Sequence, residues 1–317
     1  MKMSRGMIHP ELRFGSHLLD FIIGSDEKGF RRTNRIFRLL KGSKLKGFVC
    51  REEYISSRST ERKIRLRIFR PGNAGNDIPG ILYIHGGGYA MGLPESDLGT
   101  IGKLLKSRDC MVVAPDYTVS LNEPYPAALD DCYDTLLWMY ANSKVLGFDN
   151  KRIFTIGSSA GGGLAIAVNL RTRDSGGPPI AYSMPLYPML DDRMQTGSMN
   201  RNNAPVWDEK RTREAWRLYL KGINQDDITY YAAPGRCTDF TGHPPVCTLI
   251  GTLDPFFDET NEFVKKLKDK GIKVDFRIFE GAYHAFEIAC PHAEISKAAV
   301  GFYIHAFENA VDSHLSS

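Results

Sequence analysis

The chain has 317 residues, 42% of them hydrophobic and 25% charged, with a formal net charge of +4. That composition is ordinary for a globular protein, and the length suits one large α/β domain with an insertion or two small domains. So small a charge over so long a chain gives no case for nucleic acid, and no apolar run is long enough to span a bilayer.

The first residues, Met1 to Met7, lead into no apolar stretch of a secretory signal, so a cytoplasmic location is expected. Residues 10–46 read as helical. Leu18, Leu19, Phe21, Ile22 and Ile23 form one apolar run, Ile36, Phe37, Leu39 and Leu40 another, and Gly24 and Gly29 part the two. Arg31, Arg32, Arg35, Arg38, Lys41, Lys44 and Lys46 recur at helical spacing and read as a solvated face. Residues 48–57 and 63–70 read as two antiparallel strands. The second alternates polar and apolar residues, as a half-exposed edge strand does.

From Gly80 the pattern changes to buried strands alternating with helices. Strands are expected at 81–85, 111–115, 153–156, 182–186, 246–250 and 274–279. Helices are expected at 97–107, 127–146, 162–173, 258–270 and 292–310. Such alternation implies a mostly parallel sheet covered on both faces. The segment 190–241 interrupts it, and its length favours a helical insertion over a loop. The last strand, with Asp275 and Arg277, is expected at the sheet edge. The cysteines (Cys50, Cys110, Cys132, Cys237, Cys247 and Cys290) form no C-x-x-C pair and read as free thiols of a reducing compartment. Cys290-Pro-His292 is too little for a metal site.

Three stretches carry chemistry. Gly157-Ser-Ser159-Ala-Gly161 joins the strand Ile153-Phe-Thr-Ile156 to a small-residue helix and fits G-x-S-x-G. Such a turn holds its central serine in strained backbone at a helix N-terminus, where peptide N–H groups favour developing negative charge. A glycine-rich surface turn is the competing reading. The second stretch, His85-Gly86-Gly87-Gly88, follows a strand directly. Its glycines allow successive N–H groups to converge on an oxyanion, whereas no phosphate-loop spacing is present. His85 itself reads as a brace for this loop. The third signal is the pair Asp254 and His284, each in a loop after a late strand. A serine nucleophile needs an imidazole base, and the base needs a carboxylate to fix its tautomer. His9, His17, His305 and His314 lie near the chain ends, and His243 stands beside two prolines.

With these motifs in order, the sequence resembles the hormone-sensitive-lipase branch of the α/β-hydrolase esterases. The resemblance runs from about residue 48 to about residue 310. It rests on His85-Gly-Gly-Gly-Tyr, Asp116-Tyr…Tyr125-Pro-Ala-Ala-Leu-Asp-Asp, Gly157-Ser-Ser-Ala-Gly-Gly, Gly251-Thr-Leu-Asp-Pro-Phe-Phe-Asp-Glu and Gly281-Ala-Tyr-His-Ala-Phe. It implies an α/β-hydrolase fold: a mostly parallel central sheet with helices on both faces and a helical cap. The cap would comprise residues 1–46 and 190–241, and the catalytic domain residues 47–189 and 242–317. It also implies a triad of Ser159, Asp254 and His284, an oxyanion hole of the Gly86, Gly87 and Ala160 N–H groups, and no metal or cofactor.

Two departures, Ser158 before the nucleophile and Thr118–Asn122 after Asp116-Tyr117, bear on substrate preference rather than the triad. Tyr89, Met91, Ser158, Trp207, Trp216 and Tyr219 are candidates for the substrate pocket. The expected activity is hydrolysis of small, short-chain acyl esters, with no nucleic-acid or membrane partner and with a homodimer through the last strand. An amidase or arylformamidase of the same fold remains open, as does a catalytically dead small-molecule binding protein.

Overall fold

The structure is a computed structural model, described here for residues 4–13, 15 and 22–313. Leu18, Leu19 and Phe21 of the first apolar run, with His17 and His314, lie outside the described residues. Aliphatic and β-branched runs build the centre of the sheet. β3 (Pro79–Ile84), β5 (Asp149–Ser158), β6 (Tyr182–Leu186) and β7 (Val246–Gly251) are almost wholly buried. β1 (Val49–Ser56), β2 (Lys63–Arg70), β4 (Met111–Asp116) and β8 (Val274–Phe279) complete the sheet, in the order β1-β2-β4-β3-β5-β6-β7-β8. β2 pairs antiparallel with both β1 and β4, and every other pairing is parallel. β8 is an edge strand.

Among the described residues, α1 (Glu27–Phe37) precedes the sheet, and α2 (Leu98–Ser107), α3 (Ala127–Leu146), α4 (Ala160–Asp174), α5 (Glu209–Tyr219), α6 (Phe257–Asp269), α7 (Phe286–Ala289) and α8 (Glu294–Ser313) follow its strands. Asp26 caps α1 by accepting the Gly29 N–H, and Asp208 caps α5 by accepting the Arg211 N–H, each at 2.8 Å. Adjacent residues of β5 display the two layers. Phe154 packs edge-on against Phe307 of α8, while Thr155 hydrogen-bonds Asn169 of α4 on the opposite face. Among the described residues no helix is long and apolar enough to cross a membrane.

Two expectations are corrected. β2 is an interior strand, and its polar face is covered. Arg65 and Arg67 lie buried on Glu95, whose side chain is wholly enclosed, at 2.8 and 3.2 Å. Glu52 and Asp116 complete the cluster around Arg65 at 3.0 and 2.9 Å. Alternation in sequence reports which residues share a face; it does not report that acids from distant segments will neutralise that face. In the described part of the N-terminal segment, helix runs over 27–37 with short 3-10 turns at 10–12 and 38–40, and 41–46, expected to be helical, are not. Ile36, Leu39 and Leu40 are exposed, Leu39 at 83%, so that run is not core; Phe37 alone turns inward.

His243 packs edge-on between Phe240 and Phe263, with its Nδ1 on the Pro244 carbonyl at 3.0 Å. Burial holds its imidazole at a pKa of about 4, down from 6.5. The unfolded chain therefore takes up this proton first as pH falls. The contribution of neutral His243 is complete above about pH 6.5 and is lost progressively down to about pH 4. Urea midpoints measured from pH 7 to pH 4 should fall, and His243→Gln should flatten that fall. In the buried ion cluster, Glu95→Ala leaves two arginines without their enclosed partner. We expect it to lower unfolding free energy by about 3–5 kcal/mol, read from denaturant titration.

Candidate active site

The tight turn after β5 sets the geometry. Ser159 has φ 57° and ψ −123°, a strained backbone for a residue with a side chain. Its N–H donates to the Leu186 carbonyl at 2.9 Å, and its own carbonyl accepts from Met189 and Gly163, each at 3.1 Å. The turn closes because α4 starts almost in contact with β3. A Cβ on Gly161 would stand 2.1 Å from the Ile84 carbonyl oxygen. Only glycine fits there.

Ser159 projects from the C-terminal edge of the sheet toward two loops. One follows β7 and carries Asp254; the other follows β8 and carries His284. The Leu253 N–H donates to the Ala282 carbonyl at 2.9 Å, which ties the two loops together. The His284 Nε2 lies 2.9 Å from Ser159 Oγ, and its Nδ1 lies 2.7 Å from Asp254 Oδ2. The tautomer that satisfies both contacts donates Nδ1–H to the carboxylate and accepts the serine proton at Nε2. Asp254 and His284 are buried, and the other carboxylate oxygen accepts the Phe256 N–H at 2.9 Å. Phe256 and Tyr187 stand edge-on to the imidazole at 5.1 and 4.9 Å and limit its rotation. The Tyr187 hydroxyl in turn donates to the buried Glu287 carboxyl.

His85 lies behind the glycine loop. Its Nδ1 meets the Gly86 carbonyl at 2.8 Å, and its ring stacks on Tyr117 at 4.1 Å. Burial lowers its pKa, which keeps the imidazole neutral in a bracing role. Gly86 and Gly87 border a cavity of about 210 Å³ at Ser159. Ala160 is the first residue of α4, where peptide N–H groups have no partner within the helix. Asp97 accepts the Tyr83 hydroxyl at 3.0 Å, and its pKa is raised mainly by burial.

The cavity is chiefly apolar. Met91, Ser158, Trp207 and His284 line it. So do Ile23 and Phe37 from the N-terminal segment and Val206 from the insertion. Tyr89, Trp216 and Tyr219 do not line it. Tyr89 stacks on Tyr219 at 4.1 Å and packs against Trp216 at 5.2 Å, and its hydroxyl donates to the Met189 carbonyl. The inner face of α5 delivers Trp216 and Tyr219 to this cluster, while Trp207, just before the helix, reaches the cavity. Tyr187, Asp97 and Ile288 are lining residues absent from the expected set. Tyr187 directly follows β6, and a strand-end position in a parallel sheet is a readable signal. Nothing in the sequence marks Ile23 or Phe37.

The insertion is fastened to the Asp254 loop. Leu190 and Ser198 donate their N–H groups to Glu259 and Asp258, each at 2.7 Å. The Ser198 hydroxyl donates to the Pro255 carbonyl at 2.9 Å, and the Asn202 amide donates to the Leu253 carbonyl at 3.3 Å. Phe30 of α1 stacks on Trp207 at 6.0 Å, so the N-terminal segment and the insertion meet above the cavity.

A mostly parallel sheet with serine, imidazole and carboxylate aligned at its C-terminal edge has the geometry of the α/β hydrolases. The model of the alpha/beta hydrolase fold family matches residues 81–288. Esterase LipI of Mycobacterium tuberculosis is 31% identical over 211 residues, covering 66% of each chain. Carboxylesterase NlhH from the same species is 30% identical over 218 residues, covering 67% of each. A solved structure named bacterial heroin esterase superposes with a TM-score of 0.90 at 29% identity, over 98% of this chain and 99% of that one. The chain belongs to the hormone-sensitive-lipase-like carboxylesterase family of α/β hydrolases.

Proposed function

We propose that the protein is a serine carboxylesterase acting on short-chain acyl esters, with Ser159 as nucleophile, His284 as base and Asp254 as its orienting carboxylate. The unbroken hydrogen-bond chain from Ser159 Oγ to Asp254 Oδ2, at 2.9 and 2.7 Å, carries this reading. Ser159 attacks the ester carbonyl as His284 takes its proton, and Asp254 stabilises the imidazolium. The N–H groups of Gly86, Gly87 and Ala160 receive the oxyanion. His284 then protonates the leaving alcohol and, in the second half-reaction, activates the water that releases the acid. The small cavity supports short chains. Its volume of about 210 Å³ falls below the ~300–1,000 Å³ of sites for larger ligands. Small-molecule esters are the proposed substrates, and the proposed cap is the N-terminal segment together with the insertion.

Ser159→Ala should lower kcat by about 10⁶-fold and abolish labelling by a fluorophosphonate probe, whereas Ser158→Ala should retain most of the activity. Equal losses in the two variants would reject the assignment. Across acyl esters of one alcohol, kcat/KM should peak between about two and six carbons, since each further methylene gains its ~0.8 kcal/mol only where it has space to fill. A peak at longer chains, or a rate jump when the substrate forms an emulsion, would contradict the short-chain reading.

A further inference from the structure

Val206 is β-branched, yet it sits at φ 69°. Bulky L residues rarely adopt that backbone. Across it, the Trp207 N–H donates to the Pro205 carbonyl at 2.8 Å and closes a three-residue turn. Strained turns persist only where the surroundings hold them. Here Asn202 holds the near side, its Oδ1 accepting the Ala204 N–H at 2.8 Å and its amide reaching the Ser198 carbonyl at 2.9 Å. On the far side Asp208 caps α5.

The turn has a geometric effect. In an extended chain two consecutive side chains point to opposite sides. Here Val206 and Trp207 both enter the cavity, and each is only 3% exposed. The indole is then fixed from several directions. Its Nε1–H donates to Thr212 Oγ1 at 3.0 Å, and its ring stacks on Phe30. The ring edge also lies against Gly88, where an added Cβ would come within 2.5 Å of it. The indole centroid is 6.3 Å from the His284 ring, so this wall begins at the reacting group.

We infer that Val206 and Trp207 together set the acyl-chain limit of the site: the strained turn aims two adjacent side chains into one space, and their bulk ends the cavity. The inference rests on the esterase reading above. Bulk removed from this wall becomes room for substrate, and substrate discrimination by one methylene in an apolar pocket is about 10–200-fold. Glycine adopts positive φ without penalty, so Val206→Gly keeps the turn and removes only the side chain. Trp207→Leu removes the larger part of the wall.

The test compares parent, Val206→Gly and Trp207→Leu on p-nitrophenyl esters from acetyl to dodecanoyl, each preparation titrated for active sites with a fluorophosphonate. The expected result is an optimum displaced to longer chains in both variants. In Trp207→Leu the ratio of kcat/KM for decanoyl over butanoyl should rise at least about tenfold. A wall that merely stabilised the fold would lower kcat/KM for every chain length alike. That uniform fall, or an unmoved optimum in variants that titrate fully, would overturn the inference and leave the esterase reading standing. If Trp207→Leu does not fold, Val206→Gly decides the matter alone by the same ratio. A parent chain that neither titrates nor hydrolyses any ester would instead overturn the underlying reading.

Discussion

Everything at the site depends on how closely α4 approaches β3. The first turn of the helix starts where Gly161 touches the carbonyl end of that strand, with no room for a side chain. That approach forces the sharp reversal at Ser159, and the reversal lifts the hydroxyl clear of the sheet edge. The small residues that follow, Gly162 and Gly163, continue the close packing against Pro188 and Tyr89. Ser159 thus stands in a strained conformation because its neighbours on both sides are too tightly packed to release it. Local strain here follows from sheet-wide packing.

The sheet was largely legible in the sequence, because its central strands are apolar runs that alternate with helical stretches. β6 and β8 have the bounds their residue patterns suggest, and Ala127–Leu146 is likewise a single helix. The loops bearing Ser159, Asp254 and His284 were legible for a related reason. Each follows a strand and carries a residue type that strand geometry alone does not require. β2 was misread because its partners are remote: Glu52, Glu95 and Asp116 come from three other segments. A residue pattern contains no record of which distant acid will cover it.

The pocket was the least legible part. Its walls come from the N-terminal segment, the glycine loop, the insertion and α7, and no periodicity links them. Trp207 and Trp216 illustrate the difficulty. Both are tryptophans of one insertion, nine positions apart in sequence, yet one meets the cavity and the other fills the space behind the glycine loop. What separates them is the backbone turn at Val206, and a β-branched residue at positive φ is a conformation that sequence statistics argue against.

The fastening of the insertion also constrains how such a protein can diverge. Hydrogen bonds from Leu190, Ser198 and Asn202 run into the segment 253–259, which carries Asp254. A mutation that shifts the insertion as a body would be felt by the carboxylate that orients the imidazole. Selection for a new substrate would then be penalised in turnover. Side chains just beyond the last of these anchors, at 204–207, can change without breaking those hydrogen bonds. In this architecture the residues that wall the cavity and the residues that fasten the insertion are different ones, so the first can vary while the hydrogen bonds of the second stay in place.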